Sequence, residues 1–144
     1  MTEHKSGFVS IIGRPNVGKS TFMKAVALNL ILAQSIQTAT AHSFIYQPGY
    51  VMTSMANADD VLSGDSYFMS ELKSIRRLFN TYQCNKIYCF IDEIFKGTNT
   101  TERIAASESV LSYLDNQKAY QVIAATHDVE LSILLENTYN NYHF

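Results

Sequence analysis

Three short groups of residues in this 144-residue chain have the types and spacing to handle a nucleoside triphosphate. The first is Gly13-Arg14-Pro15-Asn16-Val17-Gly18-Lys19-Ser20-Thr21, which fits the phosphate-loop spacing G-x-x-x-x-G-K-[ST]. Glycines in such a loop let backbone N–H groups turn inward around a phosphate, and the helix that follows aims its positive dipole end at the same anion. Lys19 would reach the β and γ phosphates, and the Ser20 hydroxyl would hold Mg²⁺. The second group is Ile87-Tyr88-Cys89-Phe90-Ile91-Asp92-Glu93, an apolar run closed by two acids. Asp92 would contact the hydrated Mg²⁺, and Glu93 would orient the attacking water or accept its proton. The third is Ala125-Thr126-His127, a polar pair after another apolar run. His127 could donate a hydrogen bond to the γ-phosphate and report its loss.

These groups need strand ends and helix starts to hold them, and the hydrophobic pattern supplies both. Strands are expected at Phe8–Ile12, Tyr50–Thr53, Lys86–Ile91, Gln121–Ala125 and from Asn141 onward. Helices are expected at Thr21–Gln34, with Phe22, Val26, Ile31 and Leu32 among its apolar positions, and at Ser66–Thr81, where Phe68, Leu72, Ile75 and Phe79 recur at spacings of three and four. A third covers Thr101–Asn116, striped by Ile104, Val110, Leu111 and Leu114, and a short one covers Val129–Leu135. Pro48-Gly49 marks a turn. Strands alternating with helices predict an α/β fold with a mostly parallel sheet covered on both faces. The length fits a single domain over residues 1–144.

Bulk composition narrows the function classes. Hydrophobic residues make up 47% and charged residues 17%, which supports a packed core and argues against disorder. The net charge is −2 with no basic run, so the chain itself lacks an electrostatic footprint for nucleic acid. The two cysteines, Cys84 and Cys89, have no metal-ligand spacing and read as small hydrophobes in or beside a strand. No signal peptide or bilayer-length apolar run is found, so a cytoplasmic setting without membrane contact is expected. Arg76-Arg77 reads as a solvated helix face, Tyr46 and Tyr50 as packing residues, and Arg103 as a candidate interface contact.

The motifs, with the stretch between them, resemble the ATPase domain of the MutS family of DNA mismatch-repair proteins over about residues 22–143. The resemblance rests on Ala58-Asp59-Asp60-Val61-Leu62-Ser63-Gly64-Asp65-Ser66-Tyr67-Phe68-Met69-Ser70-Glu71, on Asp92-Glu93-Ile94-Phe95-Lys96-Gly97-Thr98-Asn99-Thr100, and on Ala125-Thr126-His127-Asp128-Val129-Glu130-Leu131. It implies a P-loop NTPase of the ABC-type ATPase class that uses ATP and Mg²⁺. It implies that Asp60, Ser66 and Glu71 form a conformational relay beside the γ-phosphate. It also implies that Gly97, Thr98, Asn99 and Thr100 close the site of a second subunit, a homodimer mate or a MutS-like partner. Asn99 stands where the family usually has serine, so an amide would replace a hydroxyl in that contact. Relative to the family, the domain reads as truncated at both ends, with DNA binding left to regions not in this chain.

The phosphate loop departs from that family, whose loops usually read Asn-Met-Ser/Gly-Gly-Lys-Ser. Residues 1–22 are instead similar to the opening of an Era-type GTPase, which makes the chain look chimeric at Thr21/Phe22. No Asp-x-x-Gly follows, and Asn85-Lys86-Ile87-Tyr88 lacks the acid that reads guanine. The leading expectation is therefore an ATPase module of a MutS-like repair protein, with Glu93, His127 and Lys19 as catalytic residues. The alternatives are an Era-type GTPase acting on RNA or the ribosome, and a nucleotide-binding remnant without turnover.

Overall fold

The computed structural model describes residues 8–14, 18–55, 67–79 and 86–143. Along these, strands and helices alternate: β1 (Phe8–Ile12), α1 (Lys19–Ile36), β2 (Tyr50–Met55), α2 (Tyr67–Phe79), β3 (Ile87–Asp92), α3 (Thr100–Asp115), β4 (Tyr120–Thr126), α4 (Val129–Leu134) and β5 (Asn140–His143). Every element expected from the sequence is present, with ends displaced by a residue or two. Strand pairing explains one such displacement. β4 extends to Tyr120 and Thr126 because those residues pair with Ile87 of β3 and Ile12 of β1.

All strand pairings are parallel, in the order β2-β3-β4-β1-β5. The chain crosses from β1 in one direction to reach β2, then runs back the other way through β3 and β4 to β5. Right-handed crossovers then put α1 on one face and α2, α3 and α4 on the other. The packing agrees. Met23, Ala27 and Leu30 of α1 pack with Ile11, Phe90 and Ala125. On the opposite face Ile75, Leu78, Leu111, Leu114 and Leu131 pack with Cys89, Ile91, Val122 and Ala124. A strand covered on both faces has no polar side, which is why Cys89, Phe90 and Ile91 are all buried in succession.

The buried face of α1 differs from the expected one. Phe22 and Ile31 are exposed, while Met23, Ala27, Leu30 and Ala33 are buried. The helix is apolar around much of its circumference, so periodicity alone does not choose a face. The choice follows from Lys19, which is buried at the first helical position on the same stripe. In α2 the buried positions are Ile75 and Leu78; Leu72 is exposed, and Phe79 meets the ring of Tyr113 edge-on at 4.9 Å. Tyr46 packs as expected and donates its hydroxyl to the Ala33 carbonyl at 2.9 Å. Tyr50, expected to pack, is instead exposed on the edge strand. Arg76 and Arg77 are exposed as expected. Burial pushes the Cys89 thiol up to about 12, leaving it an inert core residue, and Cys84 lies outside the described residues.

The turn before β2 is tight. A Cβ at Gly49 would stand 2.8 Å from the Lys86 carbonyl oxygen, 2.9 Å from Lys86 Cβ and 3.1 Å from the Tyr88 ring. The Tyr50 amide donates to that same carbonyl at 3.0 Å, so the backbone has no room to retreat. Gly49→Ala is expected to destabilise the fold by about 1–3 kcal/mol, read as a lower urea midpoint at unchanged slope.

Candidate functional site

β1 and β4 are neighbours, yet the chain leaves them toward opposite faces of the sheet, into α1 and α4. Such a reversal opens a crevice at the carboxyl ends of parallel strands. Lys19 fills the β1/β4 side of it. Its side chain is buried at 5% exposure, and its ammonium donates to the Gly13 carbonyl and, at 2.9 Å, to the Thr126 carbonyl at the end of β4. Gly18, just before the helix, has φ +96°, a conformation that glycine adopts freely and other residues rarely do. The Phe22 amide donates back to its carbonyl at 2.9 Å, closing the first helical turn. Ser20 is half-buried and Thr21 exposed in that turn, which contains no acidic residue. A buried ammonium with carbonyl partners and an uncompensated helix N-terminus fit an anion. Gly13 and Arg14 precede this turn, and Pro15, Asn16 and Val17 lie outside the described residues.

Two strands away from β1, on the same edge, β3 ends at Asp92, which pairs with Ala125 of β4. The register puts Asp92 about 10 Å from the end of β1, given a strand spacing of about 4.8 Å. Lys19 and Asp92 therefore stand at the same carboxyl-terminal edge of the sheet, on either side of the end of β4. Glu93 follows with φ +51°, and its amide donates to the Ala125 carbonyl at 3.0 Å. Left-handed backbone at a non-glycine residue costs on the order of 1–3 kcal/mol and persists where surrounding contacts enforce it. The Glu93 carboxylate meets Lys96 Nζ at 2.9 Å through one oxygen and His127 Nδ1 at 3.3 Å through the other. Burial pushes the Glu93 carboxyl up, but the hydrogen bond and charge of Lys96, then those of His127, outweigh it and hold it below its ordinary value. Glu93 is thus ionised in this arrangement, suited to orienting a water molecule.

His127 follows Thr126, whose hydroxyl accepts from the Asp128 amide at 3.0 Å. Asp128 is buried and receives two bonds from the Arg103 guanidinium, at 2.7 and 2.9 Å. Arg103, expected as an interface contact, therefore spends its charge inside the subunit, tying the first turn of α3 to the turn after β4. The imidazole of His127 lies between the carboxylates of Glu93 and Asp128, with Nε2 3.8 Å from Asp128. The sequence motifs give Asp128 no role of its own; it stands at the N-terminus of α4, one residue after the histidine. A small cleft beside these groups is lined by Ser10, Glu93, Arg103, Ser107, His127 and Asp128.

The segment between Glu93 and α3 is also fixed. Asn99 caps α3, its Oδ1 accepting from the Glu102 amide at 3.0 Å, and the Thr98 hydroxyl donates to the Glu102 carboxylate at 2.7 Å. Asparagine serves a helix N-terminus as well as serine does, so the replacement noted in the sequence costs α3 nothing. Glu71, from α2, accepts from the Lys96 amide at 2.9 Å and from the Gly97 amide at 3.4 Å. Asp60 and Ser66 lie outside the described residues. Among the described residues no group of three or more His, Cys, Asp or Glu side chains is placed to hold a metal ion. A Mg²⁺ near Ser20 and Asp92 would therefore draw most of its ligands from phosphate and water, the usual habit of that ion.

The family model described as MutS domain V matches residues 10–144. The chain is 33% identical over 133 residues to the DNA mismatch repair protein MutS of Fusobacterium nucleatum, covering 92% of this chain and 15% of that protein. It is 34% identical over 142 residues to MutS of Macrococcus caseolyticus, covering 94% of this chain and 16% of that protein. Against MutS of Streptococcus pyogenes serotype M1 it is 32% identical over 132 residues, 90% of this chain and 15% of that one. The chain thus spans about 15% of the length of these relatives. The family match begins at Ser10, ahead of the phosphate loop, and not at Phe22 where the sequence motifs placed the join. A glycine, lysine and hydroxyl at these spacings serve any phosphate loop, so the loop residues alone do not separate the two families. The comparisons lend no support to the GTPase alternative.

The Arg103–Asp128 pair generates a stability prediction. Arg103→Ala leaves a buried carboxylate uncompensated and is expected to cost about 3–5 kcal/mol, read by urea unfolding at pH 7. The Arg103 hydrogen bond, working against burial, holds the Asp128 carboxyl below its ordinary value of 3.8. That contribution to stability is full above pH 3.8 and is lost as pH falls through the lowered folded-state value. Asp128→Asn is expected to flatten the stability curve in that acid range; an unaltered curve overturns the assignment.

Proposed function

The chain belongs to the MutS family, and on that premise we propose that it is an ATP-binding and ATP-hydrolysing P-loop module of a mismatch-repair protein. The observation that carries this reading is the buried ammonium of Lys19 at the β1/β4 reversal, with Asp92 and Glu93 on the same sheet edge. Phosphoryl transfer to water needs positioning and charge neutralisation more than covalent chemistry. In this reading residues Gly13 to Thr21 wrap the phosphates and Lys19 neutralises them. Ser20 and Asp92 hold Mg²⁺, which supplies charge neutralisation when bound. Glu93 orients the water and His127 senses the γ-phosphate.

The reading extends to assembly. Gly97, Thr98, Asn99 and Thr100 sit beside the site on the N-terminal edge of α3, where a second subunit could complete it, and the Asn99 amide nitrogen remains after its oxygen has capped the helix. Slow turnover in a lone subunit, quickened on dimer closure, follows from such shared geometry. DNA contact is assigned to the portions of the longer relatives that this chain does not span. Among the described residues no helix is long and apolar enough to cross a membrane.

Binding and hydrolysis of ATP and GTP, compared across protein concentrations, test the proposal. ATP preference with turnover per subunit rising with concentration is expected. Lys19→Ala should abolish nucleotide binding, and Glu93→Gln should keep Mg-ATP binding while lowering turnover by about 100-fold or more. Chelation of Mg²⁺ should stop turnover. GTP preference, binding without turnover in the parent chain, or full activity in Glu93→Gln each contradicts the proposal.

A further inference from the structure

We propose that Lys96 is a positioning residue for Glu93, held in place by Glu71. The inference rests on the reading of Glu93 as the water-orienting carboxylate and deepens it. Five observations converge. Lys96 Nζ grips one Glu93 oxygen at 2.9 Å, leaving the other toward His127 and the crevice. The two residues are three apart, but they are not on a helix: the segment Glu93–Thr98 is an irregular strap between β3 and α3. The strap owes its shape to left-handed backbone at Glu93 and Phe95, φ +51° and +59°. Its middle is pinned from below by the Phe95 side chain, 4% exposed in the core against α2 and α3. Its outer side is pinned by Glu71, whose carboxylate accepts the Lys96 and Gly97 amides.

The strap therefore delivers the Lys96 ammonium back onto Glu93 through contacts made by a different helix. Among the described residues the hydrogen bonds of Glu71 go to the Lys96 and Gly97 amides, so its effect on chemistry passes through the Lys96 backbone. The glutamate side chain has several staggered rotamers and a broad terminal torsion, so its carboxylate needs an outside contact to fix it. A cation fixed on one oxygen selects the setting in which the other oxygen faces the crevice. Both members of the pair are partly solvated, with side-chain exposures of 33% and 19%. Removing the charge should therefore change orientation far more than stability.

The experiment has two arms, both on the full chain. In steady-state ATP hydrolysis, Lys96→Met is expected to lower kcat about 10- to 100-fold with KM unchanged, the signature of lost orientation. Lys96→Arg should restore most of it. Glu71→Ala should lower kcat by a smaller factor, and the double variant should be no slower than Lys96→Met alone. In amide hydrogen exchange, which needs no turnover, the Lys96 and Gly97 amides should exchange at least about tenfold faster in Glu71→Ala, with β3 amides unchanged. Wild-type kcat in Lys96→Met, additive losses in the double variant, or unchanged exchange at Lys96 and Gly97 overturns the proposal. A parent chain without turnover counts against the ATPase reading, and the exchange arm then decides the strap by itself.

Discussion

An ammonium buried at the point where a parallel sheet reverses its connections is the constraint on which this molecule is arranged. Taking a lysine out of water is costly unless its charge is met. Here Lys19 meets two backbone carbonyls, of Gly13 and Thr126, from the ends of two adjacent strands. Carbonyl dipoles satisfy its hydrogen bonds without cancelling its charge. The field it leaves adds to that of the α1 N-terminus, and both favour an anion in the crevice. The same bond fixes the rotation of α1 about its axis. With Lys19 pointing at the strand ends, Met23, Ala27 and Leu30 must face the sheet, and Phe22 and Ile31 must face outward. Chemistry at one end of the helix thus decides packing along its length.

Across the end of β4 the charge changes sign, and the protein separates the carboxylates by partner. Asp128 is neutralised by a guanidinium in a buried two-bond pair. Glu93 is held by the more flexible and more exposed Lys96, and by an imidazole. Asp128 is thereby a fixed structural element, while Glu93 keeps a charge that can respond to what enters the crevice. Two carboxylates flanking one imidazole would repel; giving each its own cation, a rigid one for Asp128 and a labile one for Glu93, favours the ionised form of both.

The fold was legible because the three inner strands β1, β3 and β4 are short apolar runs covered on both faces, and α1 and α3 are bounded by polar or glycine residues. The spacing Gly13 to Lys19 and the pair Asp92-Glu93 located one edge of the sheet before any pairing was known. What was not legible depended on contacts distant in sequence. The face of α1 needed the bond from Lys19 to Thr126, 107 residues away. The role of Arg103 needed Asp128, which is adjacent only once α3 and α4 lie on one face of the sheet. Tyr50 is aromatic and strand-forming, as a packing residue should be, but an edge strand leaves it exposed. Local pattern gives elements and their order; partners of charged side chains follow from topology.

The first turn of α3 is where these constraints meet. Asn99 caps it, Arg103 ties it to the end of β4, and Phe95 and Glu71 fix the strap that leads into it. Among the described residues these contacts join α2, the strap, α3 and the turn after β4. The 97–100 edge is thus joined to Glu93 by the strap and to His127 by way of Arg103 and Asp128, while Lys19 is held at the sheet. Binding and orientation are thereby carried by separate parts of the structure. Lys19 is positioned by the sheet reversal, and the Glu93 carboxylate by the strap and by the turn after β4. In the ATPase reading proposed above, such a division lets the crevice hold the triphosphate while the rate of its hydrolysis is left to the setting of α3.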